Sequence, residues 1–187
     1  ATLSEKDGLA YWQGTAPAGA PTGIDPLEAL RLSAAHLKSP KIPGLPPLTG
    51  GLVGFMGYDV VRRLERLPDL TTKDIPLPEL SFMLTSDLAV LDHSDGTITL
   101  IANAINWDGS DDRIDEAYES CVQRLDRMQA DLSTPLSGEA AEIPDFSLPD
   151  YIGNISGEQF KENILKVKEE ILAGEAFQVV LSQRFAM

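Results

Sequence analysis

Cysteine and long apolar runs are scarce in this sequence, and each shortage excludes a class of protein. Cys121 is the single cysteine, which excludes an intrachain disulfide and a zinc site built from paired cysteines. No apolar run approaches the roughly 18 residues that a membrane-spanning helix needs. The N-terminus also lacks the basic stretch followed by an apolar one that is typical of a secretory signal. We therefore expect no membrane partner and a cytoplasmic location.

Positive charge is also in short supply. Fifteen Lys and Arg residues stand against 29 Asp and Glu residues, which gives a net charge of −14. Binding to a phosphate backbone requires a basic patch that releases counterions, so nucleic acid is not an expected partner. An anionic small molecule needs only a local positive site and stays possible. The sequence has two histidines, His36 and His93. We interpret them as an exposed helix residue and a turn residue, so no Ser/His/Asp set can be assembled from them.

The order of predicted strands and helices indicates an α+β fold with antiparallel or mixed β-sheet layers flanked by helices. Asp25 followed by Pro26 is typical of a helix N-terminus. Residues 80–90 and 97–102 alternate around an Asp-Gly turn, which predicts a β-hairpin. We expect the 97–102 strand to lie near the middle of the N-terminal layer.

A long helix is predicted after Ser110, which we expect to be its N-cap. Apolar residues recur at helical spacing along it and predict a buried stripe. These residues are Ile114, Ala117, Tyr118, Cys121, Val122, Leu125, Met128 and Leu132. Cys121 lies in this stripe, so we interpret it as a packed core thiol and not as a nucleophile.

Residues 134–150 have the composition of a linker, so we predict a domain of residues 1–133 and the start of a second domain at 151–187. In the second part, Ser156 and Gln159 fit a capping box, and Gly174 fits a helix end. The alternation from Phe177 to Phe185 then predicts a half-buried strand. A strand of this kind needs neighbours on both edges, so we expect the fold to be truncated after it and to continue in polypeptide beyond this sequence.

Glycines at 50–57 raise the question of a phosphate-binding loop. Their order is G-G-x-x-G-x-x-G, with no Lys-Ser/Thr after them and a proline-rich segment before them, which argues against that function. Close backbone approach in a strand is the interpretation that we prefer. Three arginines follow at Arg62, Arg63 and Arg66, and they form either a solvated helix face or an anion site.

Two stretches resemble anthranilate synthase component I, a chorismate-utilising enzyme of tryptophan biosynthesis. The first is LTGGLVGFMGYDVVRRLERLP at 48–68, and the second is the helix at 160–174 with FQVVLSQRF at 177–185. Their order and separation match the family, so the resemblance covers essentially the whole chain. It identifies residues 1–133 with the N-terminal, regulatory-type domain and 151–187 with the first helix and strand of the chorismate-binding domain. One departure is that Glu175 and Ala176 replace the residues that usually precede the strand.

The resemblance implies a lyase that converts chorismate and ammonia to anthranilate and pyruvate. It implies Mg²⁺ in the complete enzyme, with ligands that follow Met187, and ammonia supplied by a glutamine amidotransferase subunit, component II. It also implies tryptophan as a feedback inhibitor, but the halves of that site lie before Ala1 and after Met187. We therefore expect this chain alone to be inactive and to bind neither Mg²⁺ nor tryptophan.

Gln178 is the one residue to which the resemblance gives a catalytic role. Water-using relatives have a lysine at the matching position, and a lysine of lowered pKa can deprotonate water. A neutral carboxamide cannot take that proton, but it can orient a nucleophile by hydrogen bonding. Since ammonia needs no base, glutamine fits the amine-using branch, and we predict that Gln178 faces the chorismate carbon under attack. The alternative is a polar residue on a strand face.

Two other functions stay open at this point. Aminodeoxychorismate synthase component I, of the folate pathway, shares the glutamine, although the V-V-L-S sequence at 179–182 favours anthranilate synthase. The other alternative is a stand-alone, non-catalytic regulatory or partner-binding module. The open edge of the terminal strand would be an aggregation liability in such a module, which argues against it.

Overall fold

The computed structural model describes residues 1–70, 73, 75–135, 138 and 150–186, and it divides the chain into two compact units, Ala1–Leu136 and Ser137–Met187. The predicted linker at 134–150 falls mostly outside the described residues, so the predicted domain limits stay a prediction. In the first unit the elements are β1 (Thr2–Lys6), β2 (Leu9–Gln13), α1 (Pro26–His36), β3 (Gly51–Met56), a 3₁₀ helix (Tyr58–Arg63), β4 (Leu80–Thr85), β5 (Asp87–Asp92), β6 (Thr97–Ala102) and α2 (Ile114–Ser133). In the second unit they are β7 (Ile152–Gly153), α3 (Gly157–Ala173) and β8 (Phe185–Ala186).

A four-stranded antiparallel sheet of order β2-β1-β4-β3 forms the centre of the first unit. Strand β1 is a strand that the sequence patterns above do not predict. It forms because Asp7 and Gly8 adopt positive φ angles of 53° and 80°, which turn the chain directly into β2. The Asp-Gly dipeptide is the signal by which this hairpin is recognisable.

The core of this unit lies between the sheet and α1. Asp25 caps α1, since its carboxylate accepts hydrogen bonds from the amides of Leu27 and Glu28, and Pro26 follows as predicted. Leu3 and Ala10 of the sheet pack against Ala29 of the helix, and Leu80 is also fully buried. The small Ala29 side chain allows the helix to lie close to the strands.

The hairpin predicted between residues 80 and 102 is formed by β5 and β6, with the turn at 93–96. The expected place of the 97–102 strand is wrong, because β6 pairs with β5 in a separate two-stranded sheet among the described residues. Strand β4 is not part of this hairpin and pairs instead with β1 and β3 in the four-stranded sheet. The sequence pattern reveals each strand but does not reveal which sheet receives it.

Helix α2 begins later than predicted. Its N-cap is Arg113, without a side-chain hydrogen bond, and not Ser110. The Ser110 amide donates a hydrogen bond to the Asp108 carboxylate, and the Ser110 carbonyl accepts one from the Asn106 side chain. Ser110 is therefore part of a local turn before the helix. The predicted stripe is buried at Cys121, but most of its other members are exposed. Those that are exposed are Ile114, Tyr118, Val122 and Leu132.

The second unit is built around α3. Ser156 caps it by accepting a hydrogen bond from the amide of Gln159 at 3.1 Å, as predicted. The reciprocal half of the capping box is wrong, since the Gln159 side chain donates to Glu162 and Asn163 instead. Gly174 ends the helix with a φ of 86°, a conformation that glycine adopts without strain. Among the described residues, no helix of either unit is long and apolar enough to cross a membrane.

Candidate functional site

The segment that carries Gln178 follows α3 and is not the strand that we predict from its alternation. Residues 175–184 have no regular strand or helix, and pairing is limited to β8 with β7. The alternation places Phe177, Val179 and Phe185 on one face, but Phe177 is fully exposed, Phe185 is 52% exposed and Val179 is 41% exposed, so this face is not buried. The reason is physical: a strand forms only with a hydrogen-bonded strand beside it, and no strand among the described residues pairs with 177–184.

The end of the segment is nevertheless anchored. Gln183 donates a side-chain hydrogen bond to the carbonyl of Ile155 at 3.0 Å, and Asn154 exchanges hydrogen bonds with the backbone of Arg184. The Phe185 ring meets the ring of Tyr151 edge to face, with centroids 5.0 Å apart. These contacts hold residues 183–185 in place, whereas residues 177–180 stay exposed.

Gln178 itself is exposed, between two apolar neighbours that are also exposed. Its carboxamide carries no charge at any ordinary pH, so it can donate or accept hydrogen bonds but cannot act as a base. The role that the resemblance gives to Gln178 stays a prediction.

Strand β3 contains Gly51 and Gly54, two of the glycines that raised the question of a phosphate loop. A Cβ added to Gly54 would lie 1.9 Å from the carbonyl oxygen of Ser81 and 2.6 Å from the Cα of Phe82. Gly54 is therefore part of a strand, where its lack of a side chain allows close contact with the backbone of β4. The predicted close backbone approach is confirmed at this residue.

The arginines after β3 are held by carboxylates. Arg62 contacts Asp59 at 2.8 Å, and Arg63 contacts both Glu79 at 2.7 Å and Asp25 at 2.6 Å. Since Arg63 is only 19% exposed, the interpretation of a solvated face is wrong for it. An anion would have to displace these carboxylates to bind, which argues against an anion site at Arg62 and Arg63.

Burial and hydrogen bonding act in opposite directions on the pKa values of the Arg63 cluster. Burial of the Arg63 guanidinium acts to lower its pKa, but the hydrogen bonds to Glu79 and Asp25 outweigh burial, and the pKa lies above its ordinary value. Desolvation acts to raise the pKa of Asp25, but hydrogen bonds from the Glu28 amide and from Arg63 keep it below its ordinary value. The cluster thus joins the N-terminus of α1 to the start of β4. No local sequence pattern predicts it, because its members are far apart in the chain.

The two histidines and the cysteine lie in surroundings that indicate a structural role. His36 is exposed and stacks on Trp107, with ring centroids 4.7 Å apart, while its Nε2 lies 3.0 Å from the carbonyl oxygen of Asn106. His93 lies exposed in the turn between β5 and β6, as predicted. Cys121 is buried, as predicted, and Arg124 lies 3.1 Å from its sulfur.

Metal ligands are not grouped in the part of the chain that the structure describes. Within it, no three His, Cys, Asp or Glu side chains are placed to hold a metal ion together. The described residues therefore do not fit a magnesium site.

Comparison with known proteins gives the chain its relatives. Residues 10–187 match the family model described as chorismate binding enzyme. The chain is 51% identical to anthranilate synthase component 1 of Mycolicibacterium smegmatis over 99% of its own length and 35% of that protein. It is 47% identical to the Mycobacterium tuberculosis protein of the same name, over 99% of this chain and 36% of the relative.

One solved structure is similar in fold. The anthranilate synthase component I of Streptococcus pneumoniae matches with a TM-score of 0.72 and 24% identity, over 98% of this chain and 39% of that one. This likeness confirms the predicted α+β fold class. The chain spans about a third of the length of the curated relatives that it matches.

Proposed function

Because this chain belongs to the chorismate binding enzyme family, we propose that it is part of an anthranilate synthase component 1. The observation that carries the proposal is the 51% identity to such a protein over 99% of the chain. The whole polypeptide would be a lyase of tryptophan biosynthesis that acts on chorismate. In the proposed reaction, ammonia adds at C2 of chorismate, the C4 hydroxyl leaves, and elimination of pyruvate gives anthranilate.

The residues of this chain contribute to the reaction through Gln178. An exposed carboxamide, held on a segment that is anchored at Gln183 and Arg184, is free to point into a site completed by other polypeptide. Its oxygen can accept a hydrogen bond from ammonia and orient the nitrogen lone pair toward the ring carbon. No proton has to be taken from ammonia before it attacks, so a neutral side chain is sufficient.

Other components of the reaction lie outside these residues. Magnesium is expected for this activity, but the described residues do not group ligands for it, so we assign its binding to the rest of the polypeptide. A glutamine amidotransferase subunit would supply ammonia, tryptophan would act as feedback inhibitor, and the location would be cytoplasmic. This chain alone would then have no synthase activity.

The test is an assay of the whole component 1 with chorismate and ammonium ions, following anthranilate by its fluorescence. We expect anthranilate from the whole polypeptide and none from the 187 residues alone. Formation of aminodeoxychorismate instead would assign the chain to the folate-pathway enzyme. If neither product forms, the enzyme proposal is wrong, and the stand-alone regulatory module becomes the better explanation.

Gln178 has a sharper test in the same assay. In the whole component 1, Gln178→Ala should lower kcat with ammonia by about 10²-fold, since the nucleophile loses its orientation. Ser182→Ala, a polar truncation on the same segment, is the matched control and should change kcat little. Equal activity of the Gln178→Ala variant and the unmodified enzyme would show that Gln178 is only a surface residue.

A further inference from the structure

Helix α2 presents an apolar face that the described residues do not cover. Tyr118 is 69% exposed, Ile114 58% and Val122 37%, although they lie at the spacing of a buried stripe. Beside them runs a groove of about 780 Å³ between the helix and the 102–113 segment, with Ile105 and Cys121 also in its walls. An exposed apolar patch of this kind marks an interaction surface.

The hairpin under this helix is incomplete in the same way. Strands β5 and β6 form a sheet of only two strands among the described residues, and α2 packs on β6. Packing against a helix can stabilise a two-stranded sheet, and α2 supplies that packing on β6. Leu91 of β5 and Ile98 of β6 nevertheless stay 51% and 53% exposed. The helix and the hairpin therefore both expose apolar side chains that the described residues do not cover.

We propose that an apolar segment of the remaining component 1 polypeptide covers the α2 groove, defined as Ile105, Ile114, Tyr118, Cys121 and Val122. This inference rests on the part of the proposed function that makes the chain a piece of a longer protein. About two thirds of the length of the relatives lies outside the matched region, since the chain spans 35% of one and 36% of another. A segment of the same polypeptide also binds at high effective concentration, which a separate partner does not have.

Charge favours this occupant over a second copy of the chain. The chain has a net charge of −14, and α2 itself carries five acidic and two basic side chains. Two copies packed through α2 would bring these like charges together, which is destabilising. At the rim of the groove, Asp108 is paired with Arg113 at 3.3 Å, while Glu116 adds a further negative charge. The covering segment should therefore place a lysine or arginine near Glu116.

Thiol labelling tests the proposal. Cys121→Ala removes the single native thiol of this chain. In that background, Tyr118→Cys places a thiol in the groove, and Glu119→Cys places one beside the groove on the exposed side of α2. In the 187-residue chain, maleimide should label both positions at similar rates. In the whole component 1, labelling at 118 should be at least about tenfold slower, because a covered thiol reacts only through local opening. Labelling at 119 should change little, and peptide mass mapping separates these sites from other cysteines.

Three outcomes are informative. Protection at 118 in the whole component 1 alone supports the proposal, whereas equal labelling at 118 and 119 in both proteins overturns it. Protection at 118 in the 187-residue chain that increases with protein concentration also overturns it, because the occupant is then a second copy. Labelling does not depend on chemical turnover, so failure of the anthranilate assay with protection at 118 would refute the enzymatic function and leave the groove proposal standing.

A substitution pair gives a second measurement. In the whole component 1, Val122→Glu would place a carboxylate under the covering segment, while Gln123→Glu adds the same charge at an exposed position of α2. We expect Val122→Glu to lower the Tm of the whole protein more than Gln123→Glu does, and the two variants to have similar Tm in the 187-residue chain. Equal Tm of both variants in the whole protein would contradict a covered groove.

Discussion

The four-stranded sheet and the segment at 177–186 have similar apolar alternation but opposite burial. Leu3 and Leu80 in the sheet are fully buried, whereas Phe177 is fully exposed. Strand β1 lies between two hydrogen-bonded neighbours, while pairing of the later segment is limited to Phe185 and Ala186. The difference shows that alternation becomes a strand only where a neighbouring strand satisfies its backbone groups. We expect the segment near Gln178 to become a strand only when another strand pairs with it.

The largest effect that we predict separates these two regions directly. Leu80→Ala should lower the free energy of unfolding by about 3 kcal/mol, because it leaves a cavity at a fully buried position of β4. Phe177→Ala, which removes a larger but exposed side chain, should change it by no more than about 0.5 kcal/mol. Urea unfolding of the 187-residue chain, followed by circular dichroism, measures both. A loss at Phe177 as large as that at Leu80 would mean that the segment is packed in solution.

A second prediction concerns the close contact of β3 and β4. Gly54→Ala should cost about 2 kcal/mol, since its Cβ has no room beside the Ser81 carbonyl and the strands must separate. Gly157→Ala is the matched control, because no atom lies within 4 Å of a Cβ at that position. Its unfolding free energy should change by less than about 0.5 kcal/mol. Similar values for the two variants would refute the close approach at Gly54.

The smallest of the mutational effects is at Asp25. Asp25→Ala should cost about 1 kcal/mol through loss of the helix cap, while Asp25→Asn keeps the cap and should cost less. Because the pKa of Asp25 is held below its ordinary value of 3.8, its charge stabilises the fold fully above that pH. This contribution disappears as the pH falls through the folded-state pKa.

The stability difference between the unmodified chain and Asp25→Asn should therefore begin to shrink as the pH falls below 3.8. Thermal unfolding between pH 7 and pH 3 measures it, with the Asp25→Ala variant separating the effect of the cap from that of the charge. A difference that grows toward low pH would contradict the assignment of the carboxylate to Arg63.

Local signals predict the elements of this protein better than its sheets. The cap at Asp25, the cap at Ser156, the end at Gly174 and the hairpin at 87–102 depend on neighbouring residues, and the structure contains them all. The predicted place of β6 and the strand predicted at 177–185 are wrong, because strand pairing depends on residues that lie far apart in the chain. The Asp25–Arg63–Glu79 cluster was not predicted for the same reason. The candidate role of Gln178 comes only from the resemblance of the surrounding sequence to a known family.

Hydrogen exchange of the backbone amides at 177–184 tests the central claim, that this segment becomes a strand beside other polypeptide of the same protein. In the 187-residue chain we predict rapid exchange for these amides, while the amides of β1 and β4 are protected by their ladder hydrogen bonds. In the whole component 1, the amides at 177–184 should exchange at least about 10²-fold more slowly, as expected for a strand inside a sheet. Equally rapid exchange in both proteins would contradict the claim.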